Sequence, residues 1–266
     1  MLISIIITTY NSPDYLRVCL NSFTHQTDKN FEIIIADDGS TKETKDAIKE
    51  YNNNNFKISH AWHEDQGFRA AKIRNEAVKL SSGEYLIFVD GDCIAFKDFV
   101  KNHRSLSEKG YFSRGNRVMT SENFTKEIIN KDININSICF ANFIKLRIQK
   151  KINRLIPFFR INKYPFRKIL KKKWKGAKTC NLGVWRNDFK NINGYDENYI
   201  GWGREDSDFV IRLINSGVYR KEATFSTGLL HLNHKINSRE NFSKNDKLLH
   251  EAISMKKKFI KNGYRK

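Results

Sequence analysis

Two aspartates separated by one glycine, Asp90-Gly91-Asp92, directly follow the apolar run Tyr85-Leu86-Ile87-Phe88-Val89. Carboxylates at i and i+2 across a turn can share a hard divalent cation, with phosphate oxygens filling the remaining positions. Gly91 lets the backbone turn sharply and approach a ligand closely. A second acidic turn, Asp37-Asp38-Gly39-Ser40, ends another apolar run, Phe31 to Ala36. A third acidic cluster lies in Gly201-Trp202-Gly203-Arg204-Glu205-Asp206-Ser207-Asp208. Acids in the first turn of a helix are ordinarily explained by the macrodipole and capping alone. Further on, Leu230-His231-Leu232-Asn233-His234 carries two imidazoles, and a lone histidine is more often structural than a ligand.

The surrounding pattern says which elements must position these groups. Leu2 to Thr8, Phe31 to Ala36, Lys57 to Trp62 and Tyr85 to Val89 read as buried strands. Between them, helices are expected from Ser12-Pro13 to about Phe23, from Thr41 to Tyr51, and from Gly67 to Val78. Alternating strands and helices predict an α/β fold with a doubly wound, mostly parallel sheet and right-handed crossovers. In such sheets ligands bind beyond the carboxyl ends of the strands. Asp37, Asp38, Asp90 and Asp92 then share one sheet edge, where four carboxylates repel one another unless a cation or ligand donors compensate. Phe209, Val210, Leu213 and Ile214 place a helix start near Glu205. Ala223 to Thr227 reads as a strand, and Ser243 to Lys266 as a helix with Leu248, Leu249, Ala252 and Ile253 inward.

With 39% apolar and 12% aromatic residues over 266 positions, the chain is globular rather than disordered. The N-terminal run Leu2 to Thr8 lacks a basic lead and is too short for a signal peptide, and no stretch approaches the ~20 apolar residues of a membrane span. The expected location is therefore the cytoplasm. Cys19, Cys93, Cys139 and Cys180 are scattered without metal-binding spacing, which fits reduced thiols. The net charge is +19, and it is local: thirteen lysines and arginines fall between Lys145 and Lys175, with no acid between Asp132 and Asp188. Within that stretch Ile144, Ile148, Ile152, Leu155 and Ile156 recur at helical spacing. A basic amphipathic helix of this kind predicts contact with an anionic membrane surface through residues 145–173. Packing of the apolar stripe on the domain, or a compositional bias toward Lys, Asn and Ile, would give the same pattern.

Taken together, I-I-I-T-T-Y-N, A-D-D-G-S, G-F-R-A-A-K-I-R-N and F-V-D-G-D resemble the motifs of an inverting GT-A glycosyltransferase of family 2, over residues 2–100 and again over 176–234. The resemblance implies a metal-dependent transfer of sugar from a nucleotide donor, usually UDP-linked, with Mn²⁺ or Mg²⁺ as cofactor. By that resemblance Asp38 or Asp37 is the acid that reads uracil, and Thr9 and Tyr10 are base and ribose contacts. Asp90, beside Gly91, touches ribose or metal, and Asp92 ligates the metal. Arg69, Arg74 and Asn75 match the segment flanking the nucleotide. W-G-x-E-D is similar to the acceptor motif of galactosyl- and chondroitin-type transferases. This implies acceptor contacts at Trp202, Gly203, Arg204 and Glu205, and a general base at Asp206 with Glu205 as second choice. His231 is the implied second metal ligand and His234 the alternate; a carboxylate with a neutral imidazole suits Mn²⁺ better than Mg²⁺.

These expectations divide one GT-A domain into a nucleotide-sugar half (1–100), a connector with the basic insertion (101–175), an acceptor and catalytic half (176–235) and a C-terminal helix (236–266). They point to a glycan or lipid-linked glycan acceptor, in surface polysaccharide or lipopolysaccharide assembly, with the enzyme peripheral on the inner face of the membrane. A nucleic-acid-binding protein is the rival suggested by charge, but the cations lie away from the acidic edge and no RRM, KH or zinc-finger pattern appears. A sugar nucleotidylyltransferase would need a glycine-rich basic loop where Thr9-Tyr10-Asn11-Ser12 stands. A non-catalytic nucleotide-sugar binder would leave W-G-R-E-D without a role.

Overall fold

The computed structural model describes residues 1–52, 56–131, 133–161, 164–235 and 238–265. Asp132, Lys163 and Lys266, which enter the sequence expectations, lie outside these. The first half runs β1 (Ile3–Thr9), α1 (Pro13–Thr24), β2 (Phe31–Asp37), α2 (Lys42–Lys49), β3 (Lys57–Trp62), α3 (Ala70–Leu80), β4 (Tyr85–Asp90), β5 (Cys93–Ala95) and α4 (Phe99–Leu106). It continues through β6 (Tyr111–Arg114), β7 (Arg117–Met119), α5 (Glu122–Lys131) and α6 (Phe140–Ile148). The second half adds β8 (Asn181–Trp185), α7 (Arg186–Asn191), α8 (Glu205–Asn215), β9 (Tyr219–Glu222), β10 (Leu229–His231) and α9 (Phe242–Ser254).

A seven-stranded sheet has the order β3-β2-β1-β4-β8-β6-β9. Strands β1 to β4 are mutually parallel, β8 runs antiparallel to both neighbours, and β9 is parallel to β6. The continuous apolar runs arise because both faces of the sheet are covered. In β1, Ile3, Ile5 and Ile7 join the core beneath α1, while Ile6 joins the core packed by α3 and α8. Tyr85, Ile87 and Val89 of β4 alternate in the same way with Leu86 and Phe88. Burying such side chains contributes roughly 1.5–3 kcal/mol each. Register then does the positioning: Thr8 pairs with Asp90 and Thr9 with Asp37, so the acidic turns emerge side by side.

A separate three-stranded sheet, β5-β10-β7, sits beyond the end of β4 and covers a third core. His231 of β10 pairs with Cys93 of β5, immediately after Asp92. All four cysteines are free thiols.

Three sequence expectations need correction. Residues 223–227 form a turn rather than a strand, because the Ser226 and Thr227 amides fold back on the Ala223 carbonyl (3.1 Å each) and Phe225 takes φ 63°. The basic amphipathic helix stops at Ile148. Lys150 is left-handed (φ 56°), Ile152 bridges to Thr120, and Pro157 sits in a one-turn 3₁₀ segment. Phe143, Ile152 and Phe158 are buried under the small sheet, with the two phenyl rings stacked at 3.9 Å. The last helix ends at Ser254, Ile253 is exposed, and the chain beyond packs back through Ile260.

Candidate active site

The site is assembled where the strand ends of the main sheet meet the small sheet and the start of α8. Gly91 serves by its size: its amide donates to the Thr8 carbonyl at 2.7 Å, and a Cβ there would lie 3.1 Å from that oxygen. The Asp92 carboxylate therefore leaves the strand toward β10. His231 Nε2 lies 3.4 Å from it and His234 Nε2 3.1 Å. Each imidazole engages a backbone carbonyl through Nδ1, His231 with Leu232 (3.0 Å) and His234 with Lys235 (2.7 Å). Donation from Nδ1 leaves both Nε2 atoms as acceptors. Burial pushes the His231 pKa down, against the pull of Asp92, and favours the neutral ring.

Three acceptor atoms, from Asp92, His231 and His234, thus converge within 4.8 Å of one another. A carboxylate and two imidazole nitrogens so arranged are a donor set that fits a divalent ion. Both histidines face Asp92, where the sequence expectation had His231 as the second ligand and His234 as the alternate. Their loop is fixed by the Tyr15 hydroxyl on the Asn233 carbonyl (2.9 Å) and by Asn233 N–H on Thr125 Oγ1 (2.9 Å).

At the neighbouring strand end, Asp38 is 3% exposed and its carboxylate meets His63 Nε2 (2.7 Å) and the Arg69 amide (2.7 Å). Burial raises its pKa; the Arg69 amide and His63 hold it back. Tyr10 is 46% exposed above this turn, its hydroxyl on Asp65 at 2.8 Å. Thr9 presents a buried hydroxyl without a protein partner. Asp37 is fully buried with its oxygens on the Ser40 amide and His60, so it braces its own turn, while Asp38 ties the turn to His63 and the start of α3. Asn75 also departs from the donor role. It is fully buried and clasps the Tyr195 backbone through both amide atoms (2.9 Å each). The Arg69 side chain turns to Gln66 and the Glu64 carbonyl.

Arg74 connects the two halves. It is 4% exposed; Nε donates to Thr8 Oγ1 (3.0 Å), Nη2 lies 3.5 Å from Asp90, and Nη1 lies 3.4 Å from Glu205 and 3.8 Å from Asp206. Burial opposes its charge, but Asp206, Tyr195, Asp90 and Glu205 together hold its pKa above the ordinary value. Burial raises the Asp90 pKa too; Arg74 works against the rise and Asp206 adds to it. Burial and then Asp206 raise Glu205 to about 7, with Arg74 opposing. Asp206 accepts from Thr179 through its hydroxyl (2.5 Å) and its amide (3.2 Å). Its side chain is 24% exposed against 10% for Glu205.

The loop before α8 reaches this position through left-handed backbone at Gly201, Gly203 and Arg204. Trp202 lies nearly parallel to Phe242 (6.1 Å, 24°) with the Arg239 guanidinium 5.3 Å from its ring. Arg204 pairs with Asp246 of α9 at 2.7 Å. Sequence reasoning missed Thr179, His63, Tyr195 and Arg117. Arg117 lies on β7 beside Cys180 (3.2 Å) and acts electrostatically on Asp90. None of these stands in a spacing that would have marked it.

Comparison with known proteins bears on the family and the fold. Residues 4–170, well over half the chain, match the family model "Glycosyl transferase family 2". Residues 166–235 match "N-terminal domain of galactosyltransferase". Validoxylamine A glucosyltransferase of Streptomyces hygroscopicus subsp. jinggangensis is 26% identical over 226 residues, covering 82% of this chain and 52% of that protein. The chain therefore spans about half the length of that relative. Staphylococcus aureus TarS 1–349 in complex with UDP superposes with a TM-score of 0.62 at 19% identity, over 94% of this chain and 64% of that one. A mannosyltransferase from Pyrobaculum calidifontis, in complex with GDP-Man and Mn²⁺, gives 0.60 at 13% identity over 95% and 64%. At these identities the likeness speaks for the fold.

Proposed function

The chain belongs to glycosyl transferase family 2, and from that premise we propose that it moves a sugar, with inversion, from a UDP-linked donor to a glycan hydroxyl. The observation that carries this reading is one shared cation: the Arg74 guanidinium lies 3.5 Å from Asp90 and 3.4 Å from Glu205. The proposed donor-side and acceptor-side acids are thus brought close to one another by the same arginine. On the donor side Asp38 would accept the uracil imide N–H, with Thr9 and Tyr10 against base and ribose. Asp92, His231 and His234 would hold Mn²⁺, and Asp90 stands beside them. A divalent cation there supplies charge neutralisation for the departing diphosphate, worth several kcal/mol in the transition state.

The acceptor side supplies the proton acceptor. In a single in-line displacement the acceptor oxygen attacks the anomeric carbon as the bond to the nucleoside diphosphate breaks on the opposite face. The acceptor proton passes to a carboxylate, and Asp206 is the better placed: it is the more exposed acid and Thr179 fixes its orientation. Glu205, Trp202, Gly203 and Arg204 would frame the acceptor. A screen for UDP release with Mn²⁺ across UDP-Glc, UDP-Gal, UDP-GlcNAc and UDP-GalNAc tests the reading. Turnover of one donor in the presence of an acceptor glycan is expected, and none with any of the four overturns it.

The acceptor is proposed to be a surface polysaccharide or lipid-linked glycan met at an anionic membrane. No helix among the described residues is long and apolar enough to cross a membrane. What supports contact is the exposure of Ile148 (77%), Ile169 (68%), Phe166 (55%) and Ile156 (50%) within the acid-free basic stretch. Apolar side chains among cations are what an anionic interface binds, with about 1 kcal/mol for each cation near the surface. Co-sedimentation with phosphatidylglycerol vesicles, salt-sensitive and absent with neutral vesicles, is the expected result. Equal recovery in the supernatant with both overturns it.

A further inference from the structure

We propose that Arg74 is a positioning residue, acting through the Glu205–Asp206 pair rather than by binding the donor. The inference rests on the proposed base at Asp206 and reassigns the arginine that family resemblance places beside the nucleotide. The geometry carries it. Arg74 is 4% exposed, so little of it is presented to a ligand. Its donors are directed to protein: Nε to Thr8, Nη2 toward Asp90, Nη1 toward Glu205 and Asp206. Its flat face lies 5.5 Å from the centre of the Tyr195 ring.

That ring is itself held from the same helix. Asn75, the next residue, accepts from the Tyr195 amide and donates to its carbonyl. Tyr195 is stacked on Phe209 of α8 at 4.2 Å. Consecutive residues of α3 thus grip Tyr195 by its backbone and lie against its ring, and the ring packs against the helix whose first turn carries both acids. The arginine fork is planar and permanently charged, so it sets the distance between Asp90 and α8 as well as the local potential.

Adjacent carboxylates, Glu205 buried and Asp206 half-buried, disfavour each other's ionised form. A fixed cation between them and Asp90 keeps a proton acceptor available near neutral pH. Lysine retains the charge but not the fork, and glutamine retains neither.

The test separates donor affinity from turnover in Arg74→Lys and Arg74→Gln. For Arg74→Gln, kcat should fall about 100-fold or more, the scale of a mispositioned general base. The acid limb of its kcat–pH profile should move up by about one unit. UDP affinity by calorimetry should stay within about threefold of the unaltered protein, the pattern of an interaction made after binding. Arg74→Lys should lose less in kcat and shift the limb less. A fall in UDP affinity that accounts for the lost kcat/KM, with kcat and the limb unchanged, overturns the proposal. If Arg74→Gln does not fold, Arg74→Lys decides by the same split of kcat against UDP affinity. Absence of turnover in the unaltered protein would instead strike the proposed function, so the two failures are distinguishable.

Discussion

The sheet edge and the stretch from Phe140 to Lys175 are both dense in charge, and they use it in opposite ways. At the edge the charges gather around a buried cation: Arg74 spans Asp90 and α8, while Asp92 faces two imidazoles. In the stretch, only some cations are tied to the domain, as Lys151 is to Glu127 (2.6 Å), Arg160 to Asp98 (2.7 Å) and Arg167 to the Glu222 carbonyl (2.8 Å). Lys145, Arg147, Lys150, Lys172 and Lys173 are exposed and have no acidic partner among the described residues. Removing one member of a buried ionic set leaves an uncompensated charge and costs several kcal/mol, whereas an exposed charge is worth little. Charge density by itself therefore locates nothing. The partner and the burial do.

Turnover should separate the two regions most widely. Asp206→Asn keeps the shape and removes the proposed base, so kcat should drop by about 10²–10⁴ with UDP affinity retained. Lys172→Gln and Lys173→Gln, assayed with a soluble acceptor, should leave kcat within about twofold. Comparable losses in both sets would erase the distinction. Stability then divides the stretch internally. Phe158 is stacked on Phe143 beneath the sheet that carries His231, so Phe158→Ala should cost about 3–4 kcal/mol in a urea titration. Little change would mean that the segment is draped on the surface and contributes nothing to the core.

The pH dependence of stability gives a finer contrast. Glu205 has a folded pKa of about 7 against an ordinary 4.5. Between those values the folded chain keeps a proton that the unfolded chain releases, so stability falls as pH rises through that window and is level above it. Glu205→Gln should remove this component, on the order of 2–3 kcal/mol between pH 4.5 and 7.5. The check is the difference between variant and unaltered urea titrations at the two pH values. Parallel curves would place Glu205 in solvent contact.

How much of this could be read beforehand follows the same line. The strands of the first half were legible because each is buried on both faces, and an unbroken run such as Ile5-Ile6-Ile7 admits little else. The acids were legible because they follow those runs directly. Roles within a turn were not: Asp37 and Asp38 are adjacent, and only their three-dimensional partners tie one to Ser40 and His60 and the other to His63 and Arg69. Family resemblance set Arg74 and Asn75 in a segment flanking the nucleotide, while their partners at Tyr195 and Glu205 lie more than 100 residues away. The basic stretch misled for a different reason. Its helical periodicity is real in the sequence, but Pro157 and the left-handed turn at Lys150 break the chain, and Ile152 is spent on the small sheet's core.

The smallest expected effect bears on that stretch. Ile148 and Ile169 are 77% and 68% exposed, so neither adds much to folding. Ile148→Ser and Ile169→Ser should each leave stability within about 0.5 kcal/mol, the usual range for surface substitutions. On phosphatidylglycerol vesicles the same changes should weaken binding several-fold, because each isoleucine would otherwise bury apolar area worth about 1.5–3 kcal/mol when fully covered. Cations remain in both variants, so high salt should abolish what binding is left. A substitution that unfolds the protein would show that Ile148 or Ile169 is covered within the chain, and the stretch would then differ from the sheet edge in degree rather than in kind. Unchanged vesicle binding in both variants, with stability intact, would leave the attraction purely electrostatic and assign these side chains no part in it.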